Sequence, residues 1–319
     1  MSSHNPNPAA PAPMPSKYGL QRKAPNEIKA PSGRFFRRYG GYLFLLPYLI
    51  LFFSFLILPL VYGFWLSLVD YEMLSPEAPG FVGLDNYREA MNDSYFWRAM
   101  KATALYVGMA VPLVIGLALL MAVLIDSLPE KRQGFYRLMI FMPTMITITV
   151  AGLVWRWFYH SEFGLLNAML EPLGIWVPWL TDPNWAMRSI VLMSVWWTAG
   201  VPLVILMAGL KQIPTSYYEA GAIDGAIGWR RFVYITLPLL RPILLFVVVL
   251  TIIGSFQVFG QTFIITEGGP ELATRVIMHY IYDTAFNFYR MGYGSALSWL
   301  LFVVIITFSL IQFRVFRER

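Results

Sequence analysis

Side chains able to do chemistry are scarce in this sequence, and the most informative of them lie in residues 214–242, PTSYYEAGAIDGAIGWRRFVYITLPLLRP, a charged interruption between apolar runs. Their types suit polar contact and bending rather than bond-making. Ser216, followed three residues later by Glu219, is a capping-box pattern and predicts a short helix that starts there and runs through Tyr217, Ala220 and Ala222. Gly225 and Gly228 should end it. A second short helix is predicted over 229–237, with Pro238 and Pro242 limiting its reach toward the next apolar run. Elsewhere, reactive groups are missing or scattered. There is no cysteine, hence no thiol nucleophile or disulfide framework, and His4, His160 and His279 form no metal-binding spacing. No Gly-Lys dipeptide occurs, so the phosphate-cradling loop that would let this chain hydrolyse ATP is absent.

At these residues the sequence resembles the inner-membrane permease subunits of binding-protein-dependent ABC importers. The signature of that family is EAA, a glycine, nine residues and I-x-L-P, met here by Glu219-Ala220-Gly221, Gly225, Ile235 and Leu237-Pro238. The longer form EAxxIDGA, found in carbohydrate (maltose/trehalose-type) permeases, is met by Glu219, Ala220, Ile223, Asp224, Gly225 and Ala226. Gly221 departs from the pattern, standing where the family usually has alanine, and is expected to loosen the first helix by about 1 kcal/mol. The resemblance implies that Glu219, Ala220, Asp224, Gly225, Ala226, Ile235 and Pro238 form a coupling element that docks on a separate ATPase subunit. The alternative is an amphipathic surface loop in which Glu219 only caps a helix.

The elements that hold this loop are apolar. With 57% hydrophobic and 13% charged residues in 319, the composition excludes an ordinary soluble domain and predicts an all-α polytopic membrane protein. Residues 1–33, rich in Pro, Asn, Ala and Ser, read as a disordered cytoplasmic tail, followed by a six-span domain over 34–319 with its loop at 211–241. The first apolar run has no small-residue cleavage site after it and is read as a retained span. Six runs suit a hydrocarbon layer about 30 Å thick: 42–69, 102–125, 138–156, 189–210, 242–266 and 291–313. Prolines 47, 59, 112, 143 and 202 fall within them, and such breaks are tolerated where neighbours or a wet cavity satisfy the released carbonyls.

Placing both termini and the 211–241 loop in the cytoplasm puts 17 of the 24 Lys and Arg inside, as the positive-inside rule requires. The net charge of +6 is thus a topological signal, not a nucleic-acid footprint. Residues 70–98, containing FVGLDNY, then form an external loop too long for a simple hairpin. Trp155, Trp157, Trp176, Trp179 and Trp185 are expected in an interfacial aromatic belt.

An ion-gradient-driven transporter would place ionisable groups at membrane depth, and an intramembrane enzyme would need a nucleophile with a base or metal; the run interiors hold neither. What they offer a solute is Trp, Phe, Ser, Thr and Gln, a lining suited to a neutral polyhydroxylated molecule. Ser194, Trp197, Thr198 and Val201 recur at helical spacing on the fourth run, and Thr251, Ser255 and Val258 on the fifth beside Gly254 and Gln257. The stripes suit a pathway or a helix-packing seam. The resemblance places the solute site on these helices and implies a type I importer architecture with six transmembrane helices and a cytoplasmic coupling helix between spans 4 and 5. It further implies a second permease subunit in a heterodimer, two ATP-binding subunits carrying ATP and Mg, an external solute-binding protein, and a bacterial or archaeal cytoplasmic membrane. It brings no cofactor or metal to this chain. A partner subunit could still supply charge for glycerol phosphate or another anion.

Overall fold

The computed structural model describes residues 34–76 and 78–317; the expected disordered tail, 1–33, lies outside the described residues. The chain divides at Leu58 into two units. In the first, the described residues are helical, Arg34–Phe52 passing into a π-helical turn at Phe53–Ile57. Phe44 and Phe55 are among its exposed apolar side chains, as on a helix solvated by lipid.

The second unit is built around one long helix, Ser94–Asp126, the second span. Ala102, Tyr106, Ala110, Val114, Ala118 and Ala122 recur every four residues along it and all are buried. Small residues at this spacing let neighbouring backbones come close where no hydrophobic driving force separates helix from lipid. Leu203, Leu206, Met207 and Leu210 of the fourth span and Leu240 and Val247 of the fifth pack into the lower half of this seam. Pro112 lies inside the helix without ending it.

Four helices are continuous spans: Phe44–Ser67, Ser94–Asp126, Trp229–Phe256 and Met291–Gln312. Two more spans are bent pairs. Glu130–Met145 and Ile148–Phe158 meet at 94°, Pro183–Thr198 and Gly200–Leu210 at 47°. Pro143 lies within the short 3-10 turn of the first break, Met142–Met145, and Pro202 just after the second break. The breaks touch. A Cβ on Gly200 would stand 2.8 Å from the Cα of Phe141 and 3.0 Å from the carbonyl oxygen of Ile140, so the absent side chain is what lets the two bends pack backbone to backbone.

The fifth span differs from the expected 242–266 run at both ends. It begins at Trp229, because the second helix of the loop does not stop at the prolines. A π-helical turn, Phe232–Thr236, precedes Leu237–Phe256. Pro238 has no N–H to give the carbonyl four residues back, and the wider turn accommodates that defect without breaking the helix. At the other end the helix stops at Phe256, and a separate short helix, Gly260–Ile265, packs against Ile148–Phe158.

The end of the unit remote from the 211–241 loop is closed by polar contacts. Within 70–98, strands Val69–Asp70 and Gly80–Phe81 pair antiparallel, and helix Asp85–Asn92 follows. Asn86 of FVGLDNY donates to the carbonyls of Ser67 and Val69 at 3.0 Å, fixing this cap to the end of the first span. Asp93 accepts from the amide of Tyr95 at 2.8 Å, from Tyr293 at 2.8 Å and from Tyr280, joining the second span, the sixth span and helix Ile277–Tyr282. The tryptophans divide. Trp157 and Trp176 are exposed, as a belt requires, but Trp155 and Trp179 pack against buried Tyr159, and Trp179 donates to Asn167 at 2.9 Å.

Candidate functional site

Two regions gather the residues singled out by sequence. The first is the 211–241 loop. Its helix runs Thr215–Ile223, with Pro214 in the N-cap position and no side-chain cap, so the expected capping box at Ser216 and Glu219 does not form. The fixed φ of Pro214, −59°, already sets the chain for the first turn. The helix ends in a Schellman arrangement: the amide of Ala226 donates to Gly221 O at 2.7 Å and that of Gly225 to Ala222 O at 3.2 Å. Gly225 is in the left-handed region at φ +78° with open space where a Cβ would be, so its glycine serves the backbone conformation and not clearance. Gly221 has a packing reason, since its Cβ would fall 2.2 Å from Cδ1 of Ile235; the first and second helices of the loop meet there.

Relieved of capping, Glu219 is exposed, as are Ala220, Asp224, Gly225 and Pro238, while Ala226 and Ile235 are half-buried at the junction. The Glu219 and Asp224 carboxylates bond to nothing among the described residues. Ile223 of the motif stands out beside them at 88% exposure, as do Ile227 and Trp229, which the sequence reading gave no role, at 73% and 75%. Behind this surface Arg231 lies over the ring of Tyr218, 5.2 Å from its centroid, bracing one loop helix against the other.

The second region is a cavity of about 400 Å³ where the two breaks and the fifth span converge. Trp197, Thr198, Val201, Thr251, Gly254 and Ser255 line it. Ser194 lies buried behind it with its hydroxyl unbonded, and Val258 is in the core beside Tyr106. Gln257 opens instead onto another hollow, with Ser298, Trp299 and Phe302. The stripe does not continue past Ser255 because the helix that would carry it ends at Phe256.

The structure adds Tyr106, Thr144, Pro202 and Gln261 to the lining. Tyr106 had a signal, as the one large polar residue in the four-residue repeat; Thr144 and Gln261 arrive only through the bends. Among the described residues no Asp, Glu, Lys, Arg or His lines the cavity. The indole N–H of Trp197 donates to Ile146 O at 2.9 Å, at the 94° bend, which fixes one edge of the ring while its face borders the cavity. Such an enclosure can hold a ring-shaped polar solute by stacking and hydrogen bonding, but offers nothing for acid, base or metal chemistry.

Apolar spans around a largely apolar cavity edged by hydroxyls and one amide, with an exposed helical loop at one end, define a membrane transport subunit. Residues 90–319 match the family model described as binding-protein-dependent transport system inner membrane component, and the chain belongs to that family of ABC importer permeases. It is 37% identical over 281 residues to a probable ABC transporter permease, YesP of Bacillus subtilis, covering 86% of this chain and 89% of that protein. It is 36% identical over 283 residues to the trehalose/maltose transport system permease MalF of Thermococcus litoralis, covering 88% and 94%. In fold it is similar to a chain of a bacterial ABC transporter involved in import of the acidic polysaccharide alginate, with a TM-score of 0.75 at 24% identity, covering 89% of this chain and 97% of that one.

Proposed function

We propose that this permease subunit forms half of the pathway for a neutral sugar or related polyhydroxylated solute, and that its 211–241 loop couples the pathway to a separate ATPase subunit. The observation that carries the solute reading is the cavity: an indole and several hydroxyls, with no Asp, Glu, Lys, Arg or His among its described lining residues. A carboxylate or phosphate held at membrane depth without a cationic partner would bear a desolvation penalty of several kcal/mol. The relation to a trehalose/maltose permease supports a sugar. The alginate importer shares the fold only.

For coupling, the support is a surface left unsatisfied within the chain. Glu219 and Asp224 offer unpaired carboxylates, and Ile223, Ile227 and Trp229 offer apolar anchors of the kind that dominate docking energetics. In the assembly a second, different permease subunit completes the pathway, two ATP-binding subunits carry ATP and Mg, and an external solute-binding protein delivers cargo. The chain resides in the cytoplasmic membrane with both termini inside.

Purification of the intact complex, with mass spectrometry of its subunits and bound solute, tests the whole reading. Two ATPase copies and a neutral saccharide are expected. ATP turnover by this subunit alone, or an ionic solute in the cavity, would sink it.

A further inference from the structure

The cavity is asymmetric in its hydrogen-bonding groups. The hydroxyl of Thr144 donates to Phe141 O, that of Thr198 to Ser194 O and that of Thr251 to Val247 O, each at 2.7 Å. Trp197 has likewise committed its N–H to Ile146. Each threonine oxygen therefore faces the cavity with lone pairs only, and these walls accept hydrogen bonds but do not donate them. Gln261 is the exception that matters. It lines the cavity, is only 8% exposed, and its side chain has no hydrogen-bond partner among the described residues. With no partner among those residues, this amide is free to bond whatever occupies the cavity. It brings two donors and two lone pairs, where Ser255, also unbonded, brings one hydroxyl.

We propose that Gln261 is the solute-selecting residue of the cavity, the amide that donates to a ring or glycosidic oxygen while the solute's own hydroxyls donate to Thr144, Thr198 and Thr251. This rests on the reading of the cavity as the solute path. A neutral polyol supplies both halves of the pattern. A carboxylate or sulfonate group supplies acceptors alone; it meets repulsion from the threonine lone pairs and finds donors only at Gln261, Ser255 and the Tyr106 hydroxyl. Selection against anions follows from where the threonine protons point, in addition to the absence of cations. The bend after Phe256 is what makes this possible, because it delivers Gln261 to the cavity on a helix separate from the one carrying Thr251 and Ser255.

The test uses the whole complex in vesicles, offered a mixed pool of neutral di- to pentasaccharides and alginate oligosaccharides, with imported species identified by mass spectrometry. Wild type is expected to take in neutral species only. Gln261→Met should raise the half-saturating concentration for those species about tenfold, with a smaller change in maximal rate. Gln261→Glu, equal in shape but with at most one donor in place of two, should raise it too, and Gln261→Asn should retain part of the function. If Gln261→Met does not assemble, Gln261→Glu decides. Import of alginate oligosaccharides by wild type, import of no neutral species, or wild-type half-saturation in both Gln261→Met and Gln261→Glu overturns the assignment. Should those two variants behave as wild type while Trp197→Ala loses uptake, only the role of Gln261 fails; if Trp197→Ala is also unaffected, the cavity is not the path.

Discussion

Replacing Trp197 by Phe and by Ala separates two things that this side chain does. Its N–H ties the fourth span to the 94° bend of the third, and its ring face borders the cavity. Trp197→Phe removes the tie and keeps most of the face. Because water in the cavity can take over the Ile146 carbonyl, the loss belongs near the low end for a hydrogen bond, about 0.5 to 1.5 kcal/mol of stability. Trp197→Ala removes both. An aromatic face covering about 60 Å² of a sugar ring contributes about 1.5 kcal/mol by area, and up to about 3 kcal/mol once specific ring contacts are added. That corresponds to a fall of about 10- to 150-fold in uptake efficiency. Uptake into vesicles carrying the complex, with thermal unfolding of the solubilised complex alongside, gives both readouts. The expected pattern is a modest loss of stability in each variant and a large loss of uptake in Trp197→Ala alone. Equal uptake by Trp197→Ala and wild type refutes the pathway role; failure of both variants to assemble makes the stripe a packing seam.

Further outcomes follow from other contacts. At Gly225 the cost is conformational, about 1 to 2 kcal/mol for an ordinary residue forced to φ > 0, so Gly225→Asn, →Ala and →Val should impair ATPase coupling in that rising order; a flat series would mean that partner clearance sets the requirement. Gly200→Ala, whose Cβ meets backbone at 2.8 Å, should cost about 1 to 3 kcal/mol by overpacking and lower the complex's unfolding temperature, whereas an unchanged value would show that the bends can separate freely. Burial of Asp93 opposes its ionisation, but the hydroxyls of Tyr280 and Tyr293 and the amides of Tyr95 and Phe96 hold its carboxyl below the usual carboxylate range. Its stabilisation is therefore fully present above the unfolded pKa near about 4 and is lost as pH falls through the lower folded value. Asp93→Asn should be destabilised by about 1 to 3 kcal/mol at pH 7, and a gap from wild type that fails to close in strong acid contradicts the ionised state. The cysteine-free background permits a test of orientation: an impermeant maleimide should label Glu162→Cys in intact cells and Ser216→Cys only after permeabilisation.

Composition and run length determined the membrane class and where the apolar elements lie, because crossing a hydrocarbon layer demands about 20 apolar residues whatever their neighbours are. The helix, bend and helix of the 211–241 loop were legible too, since Glu219, Asp224, Gly225 and Ile235 lie within a few turns of one another and local spacing sets their relation. Where sequence reasoning failed, a non-local or cooperative effect had decided the outcome. The Ser216–Glu219 pattern has the right residues for a cap, but Pro214 starts the helix one position earlier and leaves Glu219 unbonded. Pro238 and Pro242 read as stops, but a π-helical turn absorbs the defect and the loop helix runs into the fifth span. Thr251 and Ser255 reach the cavity together because they share a helix, while Val258 lies past its end. Thr144 and Gln261 carry no periodic signal at all. They meet Trp197 only because Gly200 allows two bent spans to touch and because the chain turns again after Phe256, and both events depend on backbones far apart in sequence.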